Sequence, residues 1–505
     1  MYSVRSTPFS GLGSLALGAL LLISFSTEAR AGGFEVPENS TLSVARGGTG
    51  AVNKRDPSAL YFNPALLPRA RGYQLLINSN FLNMNVDFQR DPLVYQRGNR
   101  TVEQEFEPAS NSAGIFPAPF FTTSWDLGID DFALAAGVFG PSAYGNTCYG
   151  EFEDGVCVSS GSAARNMVVS TDMFVMYLSL GAGYAFDLGA GKLSLGLTAM
   201  AAHQRTNFST IIEADFAPSP PWEEDPDQEA FFQGEDLAAW APTGIVGIAY
   251  EIDGFRLGAS YRPPIHWEAK GRAVLDLPDD YDDLNTVLTD DALTLRTWHA
   301  GSLRLGWGFE GGSHPGDAAR PLWDLEFNVV WENWSLVDNF EVELAGELEV
   351  REIVHEDGSY HTIPLEPIYQ SKGYKDTWSL RGGMSFGLLT WLTVHGGGFL
   401  ETGAQPVAYT NADFVSWERY AAGLGGTLHL PAGIDLDLAM LYIHSPARAV
   451  RSGRIYNQIP MSQCVGPDYD NEACQNPGTP PGNPQNEGTW TSNYQIASVG
   501  VTWRY

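Results

Sequence analysis

Beyond residue 31 the 505-residue chain contains no apolar run long enough to cross a membrane as a helix, which takes about 20 consecutive apolar residues. A helical membrane protein is thereby excluded. Basic side chains are sparse, 29 Lys and Arg against 60 Asp and Glu for a net charge of −31, and a nucleic-acid partner would need them plentiful and clustered. That partner is excluded too. Cysteine is rarer still: four residues form two close pairs, Cys148 with Cys157 and Cys464 with Cys474. Neither pair has CxxC spacing and no His stands near, so no metal site is expected. In an exported chain each pair is expected to close a small disulfide within one loop. The nine His, with His299, His395 and His429 on expected strands, belong to no Ser, His and Asp or Asn set that spacing forces together. Neither a catalytic residue nor a cofactor is expected.

What is present begins with a secretory signal over residues 1–31: Arg5, an apolar run at 15–23, and the cleavage pattern Ala29-Arg30-Ala31. The stretch that follows, 33–67, is too rich in Gly, Ser, Asn and Pro for a strand. It nevertheless carries Phe34, Val44 and Leu66, which a free linker would not need. We read 32–70 as a compact plug held inside something hollow, and 71–505 as the hollow body.

The body alternates with period two. Trp323, Leu325, Phe327, Val329 and Trp331 share one face, with Asp324, Glu326, Asn328 and Glu332 on the other. The pattern recurs at 176–186, at 434–442 and at the C-terminal Val499, Val501, Trp503 and Tyr505. Large apolar residues on one face and small or charged ones on the other suit a barrel whose outside meets lipid and whose inside is polar. Closure also removes strand edges that lipid could not hydrogen-bond. About 14 strands are expected, within the size range of such barrels, joined alternately by tight turns such as 253–254 and long loops such as 215–237, 347–369 and 451–487. An even count returns both ends of the body to one side. The acidic clusters at 223–227 and 279–283 fall in turn-rich stretches and read as solvated loop, since their spacing fits no EF-hand.

The third strand, FALAAGVF at 132–139, runs into Gly140-Pro141-Ser142-Ala143-Tyr144-Gly145. Proline cannot donate to a ladder and Gly weakens one, so either the strand ends there or the wall carries a kink and a gap.

Several segments together resemble the FadL-type outer-membrane transporters of long-chain fatty acids and other hydrophobic compounds, a family that includes aromatic-hydrocarbon carriers of the TodX kind. They are Gly33-Phe34, Gly47-Gly48, Gly50-Ala51, Asn63-Pro64-Ala65, the stretch FALAAGVFGPSAYGN, Tyr261-Arg262, WENWS at 331–335, GYKDTWSLRGG at 373–383, and the closing Trp503-Arg504-Tyr505. The resemblance implies an all-β fold, a 14-stranded antiparallel transmembrane barrel in the outer membrane with both termini periplasmic, and an N-terminal hatch in the lumen. It implies gating at Phe34, Asn63, Pro64 and Ala65, and lateral exit at the kink Gly140, Pro141 and Gly145. Transport would be passive, and the expected partners are a hydrophobic small molecule, outer-membrane lipid and lipopolysaccharide, and barrel-assembly machinery, with the protein a monomer.

A fatty-acid carboxylate calls for a buried cation. The candidates are Arg262 and Arg381, on the inner parity with Arg256 and Arg419, together with Lys372, Lys375 and Arg205, the last on the outer parity of Leu193, Leu195 and Leu197 unless it stands beyond the bilayer rim or the strand bends; Gln370 stands where the family's lysine would align, which leaves a neutral hydrocarbon as the alternative cargo. The loop 215–237, with Trp222, Phe231 and Phe232, is the expected docking surface. An outer-membrane phospholipase and an adhesin are the readings from other classes.

Overall fold

The computed structural model describes residues 36, 39–141, 146–153, 156–158, 161–213, 221–279, 281, 284–317, 320–457 and 482–505. The expected signal segment, Phe34, Gly145 and the Cys464 and Cys474 pair lie outside the described residues.

The body is a closed antiparallel barrel of fourteen strands. They are β1 (Tyr73–Arg90), β2 (Ala109–Ser110 and Ile115–Trp125), β3 (Phe132–Phe139 and Asn146–Cys148), β4 (Ser170–Asp187), β5 (Lys192–Glu213), β6 (Glu229–Ile252) and β7 (Phe255–Arg262 and Ile265–Asp276). The circuit continues with β8 (Ala292–His299 and Ser302–Gly311), β9 (Trp323–Glu332 and Asn339–Leu344), β10 (Ile368–Ser371 and Thr377–Leu389), β11 (Leu392–Glu401), β12 (Arg419–Leu430), β13 (Ile434–Val450) and β14 (Gly488–Arg504). Each strand pairs with its sequence neighbours, and β1 closes the circuit against β14 from Gln74↔Arg504 to Arg90↔Gly488. Both ends of the body sit at the rim that carries the short turns.

Burial follows the period-two pattern inside out. Leu178, Leu180, Leu195, Leu197, Leu438 and Met440 are exposed on the outer surface, while Ser179, Thr198, Asp435, Asp437, Ser498 and Thr502 are buried inside. That is the arrangement lipid demands and water forbids. The interior is not uniformly polar, however. From β2 to β9 the upper wall turns Phe120, Phe139, Met173, Tyr177, Phe232, Trp267 and Trp334 inward into one large apolar cluster.

Four neighbouring strands, β7 to β10, are interrupted at one level, after Arg262, His299, Glu332 and Ser371. Pro263 and Pro264 supply the break in β7, because neither can donate to the ladder. The break in β9 holds a short 3-10 turn, Trp334–Leu336, and carries Trp334 into the interior. The WENWS and GYKDTW segments lie at this belt.

Candidate functional site

Inside the barrel sits the hatch: helix α1 (Thr41–Ala45), helix α2 (Ala59–Phe62) and a 3-10 turn, Pro64–Arg69. Ser40 caps α1 by accepting from the Ser43 N–H. Asn63 joins α2 to the 3-10 turn and is wholly buried. Its Oδ1 accepts from the Ala65 N–H at 3.1 Å, and its Nδ2 donates to Ala51 O at 2.7 Å and to Ile248 O of β6 at 3.2 Å. The Asn-Pro-Ala turn is thus both a cap and a rivet to the wall.

The wall is cut back to receive it. A Cβ placed at Gly196 of β5 would run into Pro64, and one at Gly247 of β6 would run into Asn63 Oδ1. Gly397 of β11 and Gly423 of β12 lie as close to Arg46 and Val44. Where a glycine on an inner face suggests open room in sequence, here that room is occupied by the hatch backbone.

Polar side chains hold the hatch from several sides. Asn328 Oδ1 accepts from the Gly50 N–H at 3.1 Å and Glu326 Oε1 from the Val52 N–H at 2.9 Å. Arg46 pairs with Asp324 at 2.7 Å, Arg55 and Arg69 pair with Glu310, and Ser260 donates to Phe62 O at 2.6 Å. Among the described residues the hatch joins no sheet: bonds within its own backbone, such as Val44 N–H to Ser40 O and Asn63 N–H to Ala59 O, satisfy the amides of its helices, and Asn328 and Glu326 satisfy those of Gly50 and Val52.

Above the hatch, toward the long-loop rim, is a small apolar cavity of about 30 Å³, lined by Met167, Met173, Phe208, Leu295, Phe340 and Phe414 with Gln370 and Asp413 among them. Lys372 is buried beside it, its ammonium 4.5 Å from the Phe340 ring, and is ion-paired to Asp413. A second, polar cavity opens outward from the first and shares Met167 and Gln370 with it.

The other candidate cations are placed as follows. Arg262 donates to the Tyr177 hydroxyl at 3.3 Å and to Ala300 O at 3.2 Å. Arg381 and Arg419 both pair with Glu401, and Arg256 pairs with Glu310. Lys375 is exposed. Arg205 is corrected: it stands on the outer parity of β5, more than half exposed, paired with the equally exposed Asp236 at 2.8 Å, and so does not face the lumen.

The expected docking loop is also corrected. The β5–β6 ladder continues beyond a bulge up to Glu213↔Glu229, which puts Phe231 and Phe232 on a strand. Phe232 is 1% exposed and packs inward against Phe208 at 5.9 Å between ring centroids. Trp222 stays in the loop, half-buried, its backbone N–H donating to Asn483 Oδ1. Beside it Glu224 is buried and ties three loops together: Arg90 at 2.7 Å, Arg165 at 3.3 Å and Gln485 at 2.8 Å. Burial alone would raise its carboxyl, but the Arg90 bonds and the two guanidinium charges outweigh that and hold it at about 2. No sequence signal marks this hub, because its members lie far apart in the chain. Cys148, the last residue of β3, forms a disulfide with Cys157 in the segment that follows.

At β3 the ladder to β4 stops at Phe139↔Tyr177 and resumes at Asn146↔Asp172. The ladder to β2 stops at Phe120↔Phe139. The next two residues of β2 whose N–H groups would face β3 are Pro119 and Pro117, which have none. Gly140 comes so close to Val175 O that no side chain would fit.

A family model described as outer membrane protein transport protein (OMPP1/FadL/TodX) matches residues 22–473. Among solved structures the chain is similar to a Pseudomonas aeruginosa FadL homologue, with a TM-score of 0.70, 16% identity, and coverage of 94% of this chain and 100% of that one. It is also similar to the Ralstonia pickettii toluene transporter TbuX (TM-score 0.58, 14% identity, coverage 94% and 100%). The P. putida toluene transporter TodX gives a TM-score of 0.58 at 15% identity, with coverage of 93% and 99%. No curated protein sequence matches the chain. At these identities the likeness to the solved structures is one of fold.

Proposed function

Because the chain belongs to the OMPP1/FadL/TodX family of outer-membrane transport proteins, we propose that it is a passive channel for uncharged hydrophobic molecules, gated by the hatch and emptied sideways through the third strand. The family comprises outer-membrane transport channels, not enzymes, and the barrel carries hydrophobic compounds. The cargo enters from the long-loop rim, rests in the apolar cavity, and leaves between β2 and β4 at Gly140 and Pro141. Pro117 and Pro119 keep the β2 side of that seam free of donors that would otherwise zip it shut. Lateral release spares an apolar molecule a passage through water.

The observation that carries the choice of cargo is the Lys372–Asp413 pair beside the apolar cavity. A buried cation that already has a carboxylate gains little from a second one. Long-chain fatty acid uptake, the other reading of the same channel, needs that charge free. The test is uptake of labelled toluene and oleate by cells carrying the protein or its Asp413→Asn variant. The native protein is expected to favour toluene, and the variant to shift the ratio toward oleate by about tenfold or more, since a charge-assisted hydrogen bond contributes about 1.5–3 kcal/mol. A native preference for oleate that Asp413→Asn leaves untouched would overturn the reading.

A further inference from the structure

Several buried arginines of the lumen have carboxylate partners: Arg46 faces Asp324, Arg256 faces Glu310, and Arg381 and Arg419 share Glu401. Arg304, on the inner face of β8 between Ser260 of β7 and Val330 of β9, has none. It is 5% exposed, and among the described residues it makes neither an ion pair nor a hydrogen bond. What its guanidinium meets instead is two rings of hatch helix α2, with the centroid of Tyr61 at 5.4 Å and that of Phe62 at 5.3 Å. A buried charge without a counter-ion is costly, and an aromatic face offsets part of that cost. Tyr61 also stands edge-to-face with Phe139 at 5.5 Å. Phe139 is the last residue of β3 before Gly140, and it stacks on Phe120 of β2 at 4.8 Å. Tyr61 thus fills a buried place bounded by a lone cation and by the aromatic lining of the third-strand seam.

We infer that this place is also the cargo's: a single aromatic ring enters it as the hatch moves off and takes over the contact with Arg304, which makes Arg304 the residue that separates aromatic from saturated cargo. The inference rests on the channel reading above and names what selects within it. The apolar cavity above the hatch is small, so a ring on its way to the third strand must occupy space that a side chain now fills. Departure of Tyr61 and Phe62 leaves the guanidinium without either of its aromatic faces. An incoming aromatic ring restores one, whereas a saturated ring of similar size fills the volume and restores nothing. A ligand shifts a gate only by its difference in affinity for the two states. The aromatic solute therefore opens the hatch at lower concentration than its saturated counterpart.

The test compares uptake of labelled toluene and methylcyclohexane, similar in size and different in the π face, by cells carrying the full-length protein, Arg304→Met or Tyr61→Ala. Resistance of the folded barrel to SDS before heating reports that each variant is assembled. The native half-saturation for toluene is expected about tenfold below that for methylcyclohexane, a difference equivalent to about 1.4 kcal/mol. Arg304→Met should bring the two solutes level, even where a looser hatch speeds both. In Tyr61→Ala the place is vacant before the hatch moves, so toluene should gain more than methylcyclohexane. Native uptake indifferent to the π face, a toluene preference that survives Arg304→Met, or equal gains in Tyr61→Ala would each overturn the inference and leave the channel standing. Failure of the native protein to admit either solute would remove the channel reading itself.

Discussion

Replacing Asn63 with Ala removes three hydrogen bonds at once from the turn that rivets the hatch. Loss of the cap on the 3-10 turn costs about 1 kcal/mol, and each donor bond, to Ala51 O and to Ile248 O, about 1 kcal/mol more. The total of about 3 kcal/mol raises the ratio of dislodged to seated hatch by roughly a hundredfold. In a planar bilayer the native barrel is expected to stay closed to ions, and Asn63→Ala to show frequent openings. Asn63→Asp, which turns a carboxylate oxygen toward the carbonyls of Ala51 and Ile248 in a wholly buried site, should open at least as often as Asn63→Ala. A closed record from an SDS-resistant Asn63→Ala barrel would refute the reasoning, because the seat would then not depend on the turn.

Gly247→Leu drives a side chain into Asn63 Oδ1, and overpacking of this kind costs about 1–3 kcal/mol; protease cleavage after Arg55 should appear in the variant and be absent from the native protein. The loop hub has a pH signature. The Glu224 carboxyl is depressed from 4.5 to about 2, so its contribution is complete above about pH 4.5 and fades as pH falls toward 2; hydrogen exchange in residues 91–108 and 221–228 should rise over that window. Glu224→Gln should show the loosened state already at pH 7, since breaking a buried ion pair costs about 3–5 kcal/mol. Pro117→Thr with Pro119→Thr restores two backbone donors at the β3 seam, and toluene uptake should fall on the order of tenfold if each new bond adds about 1 kcal/mol to the closed wall.

The wall is legible in the sequence because lipid outside and polar or close-packed groups inside impose period two on every strand. Strand starts near Tyr73, Lys192, Phe255 and Gly488 follow directly. Where that pressure stops, so does legibility. Beyond the bilayer the β5–β6 hairpin needs no apolar outer face, and Phe231 and Phe232 pass for loop beside Pro220 and Pro221. The outward place of Arg205 is visible in its parity with Leu195 and Leu197; its partner Asp236 is not. The candidate site is hidden for a different reason. Lys372 meets Asp413 only after the barrel closes, and no local spacing encodes a pairing between segments so far apart in the chain. The upper interior reads as polar in sequence because apolar residues on both parities of a strand look like noise, when they mark a greasy chamber.

The strand that begins the wall is also the stalk of the hatch, for only 70–72 separate the 3-10 turn from β1, and β1 is the strand that completes the ring against β14. The stopper is therefore tethered to one margin of the closure. Insertion of the stopper and completion of the cylinder must happen together, or the stopper must already lie within the curling sheet before its two free margins meet.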